Sequence, residues 1–155
     1  MPTISIRNLN TARLSKPLYI EGAGFSTLEL HGDRTTVFGN PFTLTEEFYR
    51  GLVCQAYEEY FYLIVNDKKE PSKAAEEIAA KHSLQISTKW MRPDRYVFNA
   101  ALTFLEKAIV RDKHDVVLGC HCYPKKCHLI TVAKYIKNKI ETTDPYVRSL
   151  IDGWL

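Results

Sequence analysis

The chain has 155 residues, 45% of them apolar and 25% charged, with a formal net charge of +3. That length suits a single domain over 1–155 with one substantial core, in the composition range of ordinary globular proteins. No stretch approaches the roughly 20 apolar residues of a membrane helix, and MPTISIRNLN lacks the basic-then-apolar plan of a secretory signal, so a cytoplasmic protein without membrane partners is expected.

Thr3 to Asn8 alternates Ile4 and Ile6 with polar neighbours, as a half-buried first strand does. Residues 11–27 place Pro17, Gly22 and Gly24 around Leu18-Tyr19-Ile20 and read as a loop or a broken edge strand. Leu28 to Leu30 and Thr35 to Phe38 are short β-type runs joined by a turn at His31 to Arg34. In Gly39-Asn40-Pro41-Phe42, Pro41 lacks an N–H and holds Asn40 out of helix. Thr43 and Glu46 have capping-box spacing and predict a helix to about Asn66, with Phe48, Leu52, Val53, Ala56, Tyr60 and Ile64 on its apolar face. Ser72 to His82 is a second helix former. Pro93 predicts the first turn of a third helix, with Val97, Ala100, Ala101, Phe104, Leu105 and Ala108 as its stripe. Asp144-Pro145 predicts a short terminal segment. This alternation argues for an α/β layer fold.

The richest stretch is Asp115 to Ile140, DVVLGCHCYPKKCHLITVAKYIKNKI, which holds three of the four cysteines. Val116 to Leu118 reads as a buried strand, and Leu129, Val132, Ala133, Ile136 and Ile140 as the inner face of a helix that leaves Lys134, Lys137 and Lys139 outside. Ligands of open α/β sheets commonly sit where strand gives way to helix, here between Gly119 and Lys126. A period of two puts Cys120 and Cys122 on one strand face, and Cys127 and His128 return to it at the helix entrance. Two chemistries fit these residues. Cys120, Cys122, Cys127 and His128 are the right ligand types for tetrahedral zinc, although a C-x-C followed by adjacent Cys-His is not the usual pair of knuckles. Alternatively, the first turn of the helix together with Lys125 and Lys126 binds a phosphate, and the same field favours the thiolate of Cys127, with His128 or His121 as its base. A third account makes the cysteines small buried hydrophobes and the lysines a solvated face; Cys54, inside the first helix pattern, is read that way. Arg7, Asn8, Arg34, Tyr49 and Arg50 are further candidates near strand ends or helix starts.

The two motifs GNPF at 39–42 and LGCHCYPKKCH at 118–128 resemble the paired signatures of an uncharacterised bacterial and phage family, the domain-of-unknown-function family 4326. Where that family usually carries a Gly-Arg pair before GNPF, this chain has Gly32-Asp33-Arg34. The resemblance runs from the first strand to about Ile140, makes residues 70–91 look like a helical insertion, and implies a compact Rossmann-like three-layer fold with a short, mainly parallel sheet. It implies no activity.

The residues themselves point to a phosphorylated ligand. A nucleotide or phosphorylated nucleoside-like ligand would be held by Lys125, Lys126 and the helix N-terminus, with Gly39 and Asn40 on its sugar or base, Arg34, Cys120 and Cys122 nearby, and Cys127 and His128 for any catalytic step of a hydrolase or transferase. No carboxylate is placed by motif to stabilise an oxocarbenium ion. The alternative is a non-catalytic phage or bacterial effector of nucleic acid or a host protein, with the Cys/His cluster as a structural zinc clip. From His121 to Ile140 the chain carries five lysines and no acid, which suits a phosphate backbone.

Overall fold

A computed structural model describes residues 4–8, 19–22, 25–32, 34–112, 114–120 and 127–141. Strands β1 (Ile4–Asn8), β2 (Tyr19–Gly22), β3 (Phe25–His31) and β4 (Asp115–Cys120) form one sheet in the order β1-β4-β3-β2. β4 lies between β1 and β3 and runs parallel to both, while β2 adds an antiparallel edge to β3. Helices α1 (Arg50–Val65), α2 (Pro71–His82) and α3 (Arg95–Val110) lie between β3 and β4 in the chain, and α4 (Leu129–Glu141) follows β4. The protein is thus α/β with a short, mainly parallel sheet.

Register explains which face is packed. Ile4 and Ile6 pair with Val116 and Leu118, and Leu30 pairs with Leu118. Partners in register point the same way, so these residues and Cys120 make one apolar face, joined to the core that α1, α3 and α4 cover. On the other face Ser5, in register with Val117, is exposed, as is His31, in register with Gly119. The core is largely aromatic: Tyr60 of α1 meets Phe42, Trp90 and Phe98 of α3 at ring-edge contacts, Phe61 meets Phe98 in the same way, and Tyr57 packs tilted against Tyr60.

Several expected boundaries move, each for a local reason. Thr35 to Phe38 forms turns instead of a strand: Gly39 N–H bonds to Thr36 C=O, and Phe38 packs edge-on against Phe98 at 5.5 Å. The Thr43/Glu46 capping box does not form. Thr43 N–H donates to Gln85 C=O and Phe42 bridges Ile86, which holds this stretch extended. The helix starts only after a 3₁₀ turn at Glu47–Tyr49, with no side-chain cap, and leaves Phe48 75% exposed. Pro93 sits outside α3, because Asp94 is the N-cap and accepts the Val97 N–H at 2.8 Å. The buried face is shifted from the expected stripe: Phe98, Leu102, Leu105, Ala108 and Ile109 are buried, while Phe104 is exposed. α2 begins one residue early with Pro71 at its first turn. Asp144-Pro145 lies outside the described residues.

Two features of α2 set its stability. Its C-cap Ser83 is left-handed, at φ 55°, a conformation that costs a non-glycine residue roughly 1–2 kcal/mol. Ser83→Gly should raise the unfolding free energy by about 0.5–1 kcal/mol in urea titrations. The helix is also pinned to α1 where Glu59 accepts from Lys81 at 2.5 Å and meets His82. Burial alone raises the Glu59 carboxyl, but those two hydrogen bonds outweigh it and the net shift is downward from about 4.5. A depressed carboxylate contributes stability above its unfolded value and loses it as pH falls through the folded one. Glu59→Gln should therefore flatten the loss of stability below about pH 4.5, measured as urea midpoints against pH.

Candidate functional site

The site forms where β3 and β4 end and α4 begins. β3 and β4 stay paired one step beyond the strand, with Gly32 N–H bonding to Gly119 C=O at 2.8 Å. Gly32 is required to be glycine by contact: a Cβ there would lie 2.4 Å from both terminal carbons of Leu129, the fully buried first residue of α4. Because this approach is so close, the Gly32 carbonyl meets His128, whose Nε2 lies 2.9 Å from it in the interior. A carbonyl only accepts, so Nε2 carries the proton and Nδ1 offers its lone pair. Cys127 Sγ stands 3.9 Å from that Nδ1. A thiol, a base and a third group that fixes the base's tautomer are the parts of an activated nucleophile.

Tyr57 completes the arrangement. Its ring meets the His128 ring at 4.7 Å and 65°, and its hydroxyl donates to the Phe38 carbonyl at 2.9 Å. Burial, with Tyr60 and Cys127 close by, pushes the Tyr57 hydroxyl well above its usual range, so it remains a donor. The segment before GNPF and the Cys-His pair are thus joined through one side chain.

Cys127 is only 2% exposed, yet it forms part of the wall of a cleft of about 310 Å³ between α1 and α4. Cys54, Gln55, Glu58 and Tyr62 line it from α1, at positions that recur on one helix face, and Ile130, Thr131 and Lys134 from α4. The volume falls at the lower end of small-molecule sites. Burial first, then the charge of Glu58, raises the Tyr62 hydroxyl.

The sequence-predicted residues divide accordingly. Cys127 and His128 come together, but ahead of α4 and not in its first turn: the Ile130 and Thr131 N–H groups bond back to their carbonyls at 3.1 and 3.0 Å. Cys120, on the same sheet face, is buried in the same core cluster. Lys134, expected on the outer face, lines the cleft. Asn40 accepts the Phe42 N–H at 2.9 Å in a turn, and Arg34 donates through Nη2 to the Phe42 carbonyl at 2.8 Å; with Gly39 they shape the GNPF segment away from the cleft lining. Arg50 pairs with Glu47 at 2.6 Å. Arg7 and Asn8 stand in register with Gly119 and Cys120. His121, Cys122, Lys125 and Lys126 lie outside the described residues. Among the described residues no three His, Cys, Asp or Glu side chains are grouped to hold a metal ion. His128, with Nε2 on the Gly32 carbonyl, keeps Nδ1 as its remaining ring nitrogen, on the side of Cys127.

Sequence reasoning missed Gly32, Tyr57, Gln55, Glu58, Tyr62 and Thr131. The 54, 55, 58, 62 spacing was a readable signal for the α1 wall. Gly32→Ala tests the geometry: forcing Leu129 aside should cost about 1–3 kcal/mol, read by chemical denaturation, and should shift the His128 ring resonances.

A family model with the description Domain of unknown function (DUF4326) matches residues 26–138. No curated protein and no solved structure matches the chain.

Proposed function

The chain belongs to the family described as Domain of unknown function (DUF4326), and from that premise we propose that it binds a nucleotide or phosphorylated nucleoside-like ligand in the α1–α4 cleft and acts on it through Cys127. The observation that carries this reading is the Cys127–His128 contact at 3.9 Å, with the imidazole held by Gly32 behind Cys127, which itself lines the cleft.

The lining suits such a ligand. Lys134 supplies a cation for phosphate, Gln55 an amide for a base edge, Tyr62 a ring face for stacking, and Glu58 a carboxylate for ribose hydroxyls. In the reaction Cys127 Sγ forms a bond to the electrophilic carbon or phosphorus of the ligand while its proton passes to His128 Nδ1. That proton then leaves with the departing group. Water or a second substrate takes the enzyme-bound fragment from sulfur and restores the thiol, which makes the protein a hydrolase or a transferase. A Rossmann-like arrangement with a third layer and a cytoplasmic location belong to the same proposal.

The non-catalytic effector reading needs the α4 lysines as a phosphate track. It is weakened by Lys139, which pairs with Glu106 at 2.7 Å.

The test combines ligand binding with thiol kinetics. Calorimetry against a panel of nucleoside mono- and diphosphates should find a saturable ligand. Cys127→Ser should leave its Kd within about threefold while abolishing turnover, and His128→Ala should slow alkylation of Cys127 at least about tenfold at pH 7. Lys134→Ala should weaken the ligand and Lys137→Ala should not. Failure of every nucleotide to bind, with steeply salt-dependent binding to nucleic acid that both lysine variants impair, would overturn the proposal in favour of the effector.

A further inference from the structure

Beneath the GNPF segment, on residues the cleft does not use, three buried hydrogen-bond donors have no partner among the described residues: Arg34 Nε, the Tyr60 hydroxyl and Trp90 Nε1. They are neighbours. Tyr60 and Trp90 meet edge to face with centroids 6.0 Å apart, and Tyr60 meets Phe42 in the same manner at 6.1 Å. Arg34 spans this group from the other side, since Nη2 bonds the Phe42 carbonyl at 2.8 Å and its own carbonyl accepts the N–H of Met91 at 3.0 Å, next to Trp90. Tyr60 is 0% and Trp90 3% exposed.

An orphaned buried donor costs about 1–3 kcal/mol, and more when charged, so native proteins leave few of them. Three on neighbouring residues point to a shared need. The Arg34 and Trp90 groups can only donate. Burial drives the Tyr60 hydroxyl upward, so it too keeps its proton. What completes the corner is an acceptor with several lone pairs, whereas a single water would have to find places for two protons of its own. Arg34 adds the sign of the charge, because among the described residues no carboxylate pairs with its guanidinium. A second cation stands close by: Arg92 lies 5.5 Å from the Trp90 ring centroid. It is held there by a left-handed backbone at φ 54° directly before Pro93, where extended backbone is preferred.

We propose that Arg34, Tyr60 and Trp90 form an oxyanion pocket that takes a phosphate group. A guanidinium Nε–H with two neutral donors is chemistry suited to a tetrahedral oxyanion. None of the three residues lines the Cys127 cleft, so this site stands or falls independently of the catalytic reading. The phosphate is either free or carried by a nucleotide, and the experiment separates the two.

The chain has two tryptophans, so two indole N–H resonances are expected in 15N-labelled protein, and Trp90→Phe assigns that of residue 90. Titration with inorganic phosphate at ionic strength held constant with sodium chloride should move the Trp90 resonance downfield and slow its exchange. Arg34→Lys, which keeps the charge and loses the Nε–H, should weaken the response about tenfold, and Cys127→Ser should leave it unchanged. Should the Arg34 variant not fold, calorimetry of Trp90→Phe, which keeps a ring in place and loses the N–H, must give the same weakening. A nucleoside monophosphate acting at lower concentration than inorganic phosphate identifies a ligand-borne group; equal or stronger action of inorganic phosphate identifies the free anion. The pocket is refuted if neither moves the resonance up to about 10 mM, the weak end of specific binding. It is equally refuted if Arg34→Lys responds as the parent does, or if a crystal structure of protein grown in phosphate shows ordered water, and no phosphate, on these donors.

Discussion

The contact on which the rest of the site depends is the hydrogen bond from His128 Nε2 to the Gly32 carbonyl. It is an interior bond between residues far apart in sequence, and it joins the ends of the central strands to the start of α4. Three physical conditions must hold together for it to form. β4 must be the middle strand, so that Gly119 can pair with Gly32 beyond the end of β3. Residue 32 must lack a side chain, so that Leu129 can enter the space a Cβ would fill. And α4 must begin at Leu129, so that His128, in the turn just ahead of it, sets its ring against the Gly32 carbonyl. Once these are met, the tautomer of His128 and the direction of its remaining lone pair follow without further adjustment.

α1 divides the molecule into two chemical environments. On one side Cys54, Gln55, Glu58 and Tyr62 look into the cleft with Cys127. On another, Tyr60 sits with Trp90 and Phe42 under the GNPF segment, beside Arg34. Tyr57 lies between, bonded to the Phe38 carbonyl and stacked edge-on against His128. The Phe38-to-Phe42 turn and the Cys-His pair, more than 80 residues apart in sequence, are therefore parts of one aromatic core. A change in either segment is transmitted through packed rings, which interiors at crystal-like density do not absorb freely.

Much of the scaffold is legible in the sequence because it obeys a period. β1 follows the alternation of Ile4 and Ile6, β4 the short apolar run Val116 to Leu118, and α2 its alanines. The failures have a common cause, which is that a nearby side chain or backbone group offered a better partner than the local pattern assumed. Thr43 found Gln85 and did not cap a helix; Asp94 capped α3 and displaced Pro93 from it. Phe104 lost its place to Phe98, whose ring fits among Phe38, Tyr60 and Phe61. In the site, Cys127 and His128 were legible because a polar pair at a strand-helix corner has little to gain from burial unless it is bonded. Gly32 and Tyr57 were not, since close approach and a ring contact across 71 residues (128 − 57) leave no mark in local spacing.

The most direct test of this account is the protonation state of His128, measured by long-range 1H–15N correlation of the imidazole in native protein. The account predicts a proton fixed on Nε2 and protected from exchange, with Nδ1 unprotonated whenever the Cys127 thiol retains its hydrogen. A neutral ring carrying its proton on Nδ1 would contradict it, because the Gly32 carbonyl would then hold no hydrogen bond and Cys127 would face a donor in place of a base.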